Sequence, residues 1–397
     1  MIKYLLSREQ LIIYCLAFFF TFFLMQLNFL NSSANFLYLA PPLFLIFTSK
    51  KIQIPHIDFQ IAFIIYTAIF VIAALLQPMF WPDIFRKLVS FIIFMTAFLY
   101  TFINISDRMI AAFKIAIVFY ISYLSFTNLL EYSAFGLAEL GSAAKNQVGN
   151  QRYGFLYILG FWITFFYQSH FKLFTALKFP LLILIGVGIL LTFSRASIVG
   201  WLASTACFLF IVFGANFRIT FKGLLLSIFS VFMIILALMY TDAYLYIEYP
   251  VEYFLDSLFS LRSKDGSATF DIANPESSEG FRIFLMKTIL IFIGSWPLTG
   301  SGFMGIWILF EDRVGSAHGQ FNDVLFRTGI IGMAIYLYLL QRLGSFLRKR
   351  DMGLFLGLIG ILFYGLFHET FKLAHGAFVL AFLFGMYATH KRNNSQL

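Results

Sequence analysis

Long apolar runs separated by short polar breaks dominate the chain. A run of about 20 apolar residues is long enough to cross the hydrocarbon core of a membrane as a helix. The runs predict spans near 11–30, 34–48, 57–76, 84–104, 109–131, 152–169, 174–193, 196–214, 222–241, 321–341, 352–367 and 372–390. The pattern therefore predicts an all-α polytopic integral membrane protein with about 12 transmembrane helices.

One long polar stretch, 242–320, interrupts this pattern between the ninth and tenth predicted spans and holds about half of the 19 acidic residues. Loops of this length are usually functional. Its apolar segment near 281–294 predicts a short helix at the outer face of the membrane that the chain spans. Gly280 argues against one uninterrupted helix that would begin at Asn274. The chain thus divides into helices 1–9 (1–241), this extracytoplasmic loop (242–320) and helices 10–12 (321–397).

Basic residues occupy alternate breaks, and this alternation predicts the orientation in the membrane. The positive-inside rule places such breaks on the cytoplasmic side, so we expect both termini in the cytoplasm and the 242–320 loop outside it. The first run follows Lys3 and Arg8 without a small-residue cleavage site, which predicts a retained helix. The basic breaks contain Lys50, Lys51, Arg108, Lys114, Lys172, Lys178, Arg218, Lys222, Arg342, Arg348, Lys349, Arg350, Lys391 and Arg392.

Composition excludes other classes of protein. With 60% hydrophobic and 12% charged residues, the chain departs strongly from a soluble globular domain. The net charge of +9 comes mostly from the basic residues of the predicted cytoplasmic breaks, so we do not expect nucleic-acid binding. Cys15 and Cys207 lie in apolar runs, which excludes a disulfide framework and a thiolate metal site.

Two arginines stand out because they are predicted on the outer side, where arginines are avoided. Arg195 is the only charge between Leu181 and Ala215, in the string LLTFSRAS. Arg282 begins the apolar segment of the loop. Each arginine also has a non-functional interpretation. Arg195 could extend its charge to the membrane surface as a snorkelling residue, and Arg282 could be a solvated charge of the loop. Together they offer the planar, permanently charged groups that bind a diphosphate through paired hydrogen bonds.

His318 is the third candidate, in the Gly/Ser-rich turn GSAHGQFNDVLFRTGIIG. An imidazole can take a proton from a sugar hydroxyl at neutral pH, and Asn322 and Asp323 are candidates to orient it. His368, Glu369 and His375 form a weaker group that could be structural. No spacing of three convergent ligands indicates a metal, so we expect no metal and no cofactor. His56, His170 and His390 lie at predicted cytoplasmic boundaries.

These strings resemble a known family. LLTFSRASIVGWL resembles the Ser-Arg signature at the end of a span in the O-antigen ligase and O-antigen polymerase superfamily. FRIFLMKTILIFIGSWPLTGSGFMG and SAHGQFNDVLFRTGIIG are similar to its arginine-bearing helix, its glycine turn and its histidine turn. The resemblance is topological over the whole chain and extends to motifs over about 195–332.

The resemblance implies a metal-independent inverting glycosyltransferase of the bacterial inner (cytoplasmic) membrane, acting in lipopolysaccharide or other surface polysaccharide biosynthesis. Such enzymes take a glycan from an undecaprenyl-diphosphate carrier at the outer face of that membrane. By this resemblance, Arg195 and Arg282 would hold the diphosphate and His318 would activate the acceptor hydroxyl. The lack of a soluble domain also argues against a nucleotide-sugar donor.

The resemblance leaves the acceptor open. Ligases transfer the glycan to lipid A-core, and polymerases transfer it to another lipid-linked repeat unit. Many relatives have Asn directly after the histidine, where this chain has Gly319, and this difference favours a polymerase. A flippase for lipid-linked glycans or another transporter is the alternative, although repeated halves with midplane charges would be expected for it. A structural scaffold would leave the outward Arg-Arg-His set unexplained.

Overall fold

The structure is a computed structural model, and it describes residues 8–29, 57–76, 105–134, 153–167, 172–192, 194–214, 278–309, 318–368, 370 and 374–395. Over these residues the chain is helical, with turns and one short 3-10 helix and without a strand. The helices are α1 (Arg8–Phe29), α2 (Ile57–Leu76), α3 (Asp107–Ser133), α4 (Gly154–Phe166), α5 (Lys172–Leu191), α6 (Arg195–Gly214), α7 (Ser278–Ser295), α8 (Gln320–Arg350), α9 (Met352–Gly365) and α10 (Ala374–Ser395).

The described helices lie where the apolar runs predicted them. All of them except α7 coincide with predicted spans, and α7 coincides with the predicted loop helix. The spans predicted at 34–48, 84–104 and 222–241, and most of the 242–320 loop, lie outside the described residues. The total of about 12 spans and the three-part division therefore remain predictions.

Two helices of the described residues, α3 and α8, are long and apolar enough to cross a membrane. Several other helices carry shorter apolar stretches. Large apolar side chains are exposed on many of them, including Phe18, Phe179, Phe210 and Ile291. Soluble proteins rarely expose so much apolar surface, so the helices indicate a membrane protein.

The first compact unit comprises 1–120, 271–355 and 365–397. One part of it is an aromatic contact among α1, α3 and α10, in which Phe113 stacks on Phe382 with ring centroids 4.0 Å apart. Buried His375 of α10 lies 2.9 Å from the carbonyl oxygen of Leu24, measured from Nε2. Directly after Phe113, Lys114 forms an ion pair with Asp351. These contacts hold the first half of α3 against α1, α10 and the residue between α8 and α9.

The second unit comprises 121–270 and 356–364, and small residues let its helices approach closely. A methyl group on Gly200 of α6 would lie 2.6 Å from the carbonyl oxygen of Gly360 in α9. The indole of Trp162 in α4 donates to the hydroxyl of Ser204 in α6 at 2.7 Å. Close backbone approach and interhelical hydrogen bonds are the usual means of helix association in membranes.

Two details differ from the prediction. Helix α7 begins at Ser278 and includes Gly280, so it starts before the predicted segment of 281–294, while residues 274–277 lie outside the described residues. Glycine in a helix costs only about 1 kcal/mol relative to alanine, and the buried Leu285 and Ile289 of α7 compensate for it through packing. Helix α8 extends beyond the predicted 321–341 but is not continuous, since Gly329 has non-helical angles (φ 64°, ψ −167°).

Candidate active site

Helix α7 packs one apolar stripe against the start of α8. Leu285, Ile289 and Ile293 are buried in a cluster with Ile306 and Phe326. Residues at this spacing of three and four share one side of a helix. Arg282 precedes Leu285 by three positions, a spacing that brings two backbone positions of a helix to the same side, whereas Lys287 is exposed. The helix therefore places Arg282 in register with the side that faces α8.

The glycine turn that follows α7 docks on the break in α8. In a continuous helix the N–H of Ile330 would donate to the carbonyl oxygen of Phe326. Instead, Phe326 accepts from the N–H of Ser301 at 2.7 Å, and Ile330 donates to the carbonyl oxygen of Pro297 at 2.8 Å. The turn thus supplies the hydrogen bonds that the break removes, and buried backbone groups need such partners.

Gly300 and Gly329 make this docking possible. Both have left-handed backbone angles, with φ of 59° at Gly300 and 64° at Gly329. A methyl group on Gly300 would lie 2.4 Å from the carbonyl oxygen of Phe326. A methyl group on Gly329 would lie 2.5 Å from the carbonyl oxygen of Leu298. Only glycine combines this conformation with so close an approach of two backbones.

Arg327 joins the turn to the first part of α8. Its Nε donates to Oδ2 of Asp323 at 2.7 Å, and an Nη donates to the carbonyl oxygen of Phe303 at 2.8 Å. The N–H of Phe303 donates in return to the carbonyl oxygen of Arg327 at 2.8 Å. The side chains of Arg327 and Asp323 are only 12% and 7% exposed. Asp323, a candidate to orient His318, therefore has its carboxylate engaged by Arg327.

His318 lies immediately before α8, in a turn with left-handed backbone (φ 49°). Such angles are uncommon outside glycine and often accompany functional sites. Gly319 follows in an extended conformation, and a methyl group on it would lie 2.9 Å from the carbonyl oxygen of Leu366. Buried Gln320 accepts from the N–H of Thr370 at 3.0 Å. The histidine turn is thus held against the turn that follows α9.

Arg195 is the first residue of α6 and follows the end of α5 at Leu191 by four positions. The carbonyl oxygen of Ser194 accepts hydrogen bonds from the N–H groups of Ser197 and Ile198. The N–H of Ser194 donates to the hydroxyl of Thr192 at 3.3 Å. The position at a helix N-terminus adds a favourable dipole for an anion. Arg195 belongs to the second unit, whereas Arg282 and His318 belong to the first.

The remaining histidines do not form a second centre among the described residues. His375 is buried between Leu24 and the hydroxyl of Tyr120, which lies 3.4 Å away, so its contacts are those of a packing residue. Glu369, its predicted companion, lies outside the described part of the chain. Within the described residues no three His, Cys, Asp or Glu side chains converge. Independence from metal remains a prediction.

The sequence did not reveal Arg327 or the break at Gly329. Both lie in a long apolar run that reads as one helix, and neither a glycine nor an i,i+4 ion pair within a helix is unusual. The only available signal was the presence of two glycine-containing strings, PLTGSGFMG near the C-terminal end of the polar loop and FRTGIIG in the apolar run that follows it.

Comparison with known proteins agrees with these motifs. Residues 180–337 match the family model described as O-antigen ligase. No curated protein matches the chain. The matched region includes Arg195, Arg282 and His318, together with the docked turn and the break in α8. Over this region the chain is similar to the O-antigen ligase family, which supports the resemblance to the O-antigen ligase and polymerase superfamily.

Proposed function

We propose that this protein is a membrane glycosyltransferase that moves a glycan from an undecaprenyl-diphosphate carrier to a sugar hydroxyl, at the outer face of the bacterial inner membrane. The family match over 180–337 carries the proposal, because it supports a glycosyl-transferring role in O-antigen or surface polysaccharide synthesis. The apolar helices agree with a membrane-bound enzyme that meets its donor in the lipid phase.

In the proposed reaction, the acceptor hydroxyl attacks the anomeric carbon of the donor sugar from the face opposite the diphosphate. The new glycosidic C–O bond forms as the bond to the diphosphate breaks, so the configuration inverts. His318 takes the proton of the acceptor hydroxyl, and undecaprenyl diphosphate leaves with the bonding electrons. A diphosphate is already a good leaving group, so positioning and charge stabilisation supply most of the catalysis.

Arg195 and Arg282 have the charge stabilisation role in this proposal. A guanidinium gives two parallel hydrogen bonds to phosphate oxygens and remains charged at every relevant pH. The positions support the assignment: Arg195 starts a helix, and Arg282 lies in register with the side of α7 that packs on α8. The charges on the leaving diphosphate would increase in the transition state, where such donors contribute most.

For the acceptor we favour a second lipid-linked repeat unit, which makes the enzyme a polymerase. This choice is based on Gly319, which lies so close to Leu366 that a methyl group would approach its carbonyl oxygen to 2.9 Å. An Asn side chain would not fit after His318 without a shift of either turn. The same donor offered with lipid A-core or with a second repeat unit distinguishes the two activities.

The test uses the purified full-length protein with a synthetic undecaprenyl-diphosphate-linked donor, and it measures donor binding and product separately. We expect product from the wild type and an unchanged rate after addition of EDTA. His318→Ala should retain donor binding and lose about 10²–10⁴-fold in transfer, the usual contribution of a positioned base. Transfer at the wild-type rate in His318→Ala would remove the histidine from the mechanism. Movement of intact donor across the bilayer without product would indicate a transporter.

A further inference from the structure

We propose that Arg327 and Asp323 are positioning residues for His318, and that they act by fixing the first part of α8 to the glycine turn. This inference rests on the glycosyl transfer proposed above, in which His318 is the base. It concerns residues 318–328, a segment that Gly329 separates from the rest of α8.

The segment needs outside support because it is too short to be stable alone. Isolated helices shorter than about 12 residues are marginal, and residues 320–328 end at the break. Its far end is held by the glycine turn, through the bonds from Ser301 to Phe326 and from Phe303 to Arg327. Its near end is held through Gln320 and Thr370. The position of His318 therefore depends on contacts with two separate turns.

The ion pair connects these two ends. The N–H of Asp323 donates to the carbonyl oxygen of Gly319 at 2.9 Å, which is the hydrogen bond that starts the helix directly after His318. The carboxylate of the same residue binds Arg327, one helical turn further on. Arg327 in turn binds the carbonyl oxygen of Phe303 in the glycine turn. A chain of short contacts therefore runs from the glycine turn to the residue that follows His318.

An arginine is required for this connection. Its planar group donates in two directions at once, to the carboxylate at 2.7 Å and to the carbonyl at 2.8 Å. A lysine carries the same charge on a single point and does not reproduce this fork. Both partners are nearly buried, so loss of either one leaves a charge in a poorly solvated site. The segment would then shift rather than keep its geometry.

The left-handed backbone of His318 makes the segment sensitive to such a shift. A residue with φ of 49° is held there by its surroundings, and a base that is displaced by 1 Å can lose about 10²-fold in rate. Substitution of Arg327 should consequently lower turnover while the donor still binds through the arginines of the diphosphate site.

The test is a double-mutant cycle between Arg327→Leu and His318→Ala in the purified full-length protein, with the synthetic lipid-diphosphate donor. With His318 present, Arg327→Leu should lower kcat by about 10–100-fold and leave donor Kd unchanged. In the His318→Ala background the same substitution should have no further effect on the residual rate, because a residue that acts only through His318 is then silent. Arg327→Lys should be intermediate.

Lys114→Leu is the matched control, since it removes another partly buried ion pair, with Asp351, from the same unit. Its kcat should equal that of the wild type. If Arg327→Leu lowers the rate by the same factor in both backgrounds, Arg327 is only a structural residue and the inference is wrong. If Arg327→Leu and Arg327→Lys both keep full kcat while His318→Ala does not, the inference also fails and the proposed function stands. Full activity in His318→Ala would instead overturn the role of the base.

Discussion

Gly300 and Gly329 meet backbone to backbone, so that a methyl group on Gly329 would lie 2.7 Å from the amide nitrogen of Gly300. This contact connects the turn after α7 to the break in α8. Neither residue contributes a side chain, and yet the hydrogen bonds from Ser301 and Ile330 depend on their approach. The path of the chain around the candidate site is therefore set by two residues without chemistry of their own.

Gly329→Ala should destabilise the first unit and abolish transfer. The left-handed conformation alone costs about 1–3 kcal/mol for a residue with a side chain, and the contact with Leu298 adds to this. Thermal unfolding in detergent and transfer activity are the measurements. Gly294→Ala is the control, because a methyl group on Gly294 would meet nothing within 4 Å and alanine favours a helix. Equal unfolding temperatures for the two variants would contradict the docking.

Arg195→Lys tests whether the diphosphate needs a guanidinium rather than a positive charge. Lysine keeps the charge at the start of α6 but loses the two parallel hydrogen bonds. We expect transfer to fall by about 10²–10³-fold, as when one donor to a developing negative charge is removed, with normal abundance in the membrane. Full activity of Arg195→Lys would contradict the role in diphosphate binding and would indicate that Arg195 only anchors the helix end at the membrane surface by snorkelling.

Arg282→Ala should also lower transfer strongly, and Lys287→Ala gives its matched control in the same helix. Arg282 lies in register with the buried stripe of α7, whereas Lys287 is exposed. Because Lys287 is exposed and lies away from the buried stripe that packs on α8, we expect the Lys287 variant to retain the wild-type rate. The assay is the same transfer reaction, with donor binding measured separately. A larger loss from Lys287→Ala than from Arg282→Ala would refute the assignment.

The orientation in the membrane can be tested with single cysteines in a chain that carries Cys15→Ser and Cys207→Ser. The alternation of basic breaks predicts that Ser267→Cys and Ser278→Cys react with an impermeant thiol reagent in cells whose outer membrane has been made permeable. Ser345→Cys, near the basic end of α8, should react only after the inner membrane is opened. Labelling of the 242–320 loop only from the cytoplasm would exclude both the orientation and the mechanism.

The positions of the helices could be predicted because each apolar run carries its own signal. Helices such as α2 and α6 lie within one or two residues of the predicted runs at 57–76 and 196–214, since burial in lipid depends on local composition. Arg195, Arg282 and His318 were predicted as candidates because they are polar groups at unusual positions; all three lie in the matched family region, and their roles remain proposals.

The break in α8 could not be predicted in the same way. Gly329 lies in the string RTGIIGMAIYLYLL, where a glycine usually continues a membrane helix, and its conformation depends on Gly300, which is distant along the chain. Asp323 could be named as a candidate near His318 from proximity in sequence, but its pairing with Arg327, which contacts the glycine turn, could not. Tertiary partners decide both cases, and a single sequence does not show them.

The break also determines how α8 can span the bilayer. The apolar part beyond it, 330–341, ends before the basic Arg342 and covers only about 18 Å at 1.5 Å per residue, short of the ~30 Å thickness of a hydrocarbon core. Residues 320–328 must therefore contribute to the span as well. The buried pairing of Asp323 with Arg327 lets this segment do so, because charged groups near hydrocarbon are tolerated when they pair with one another.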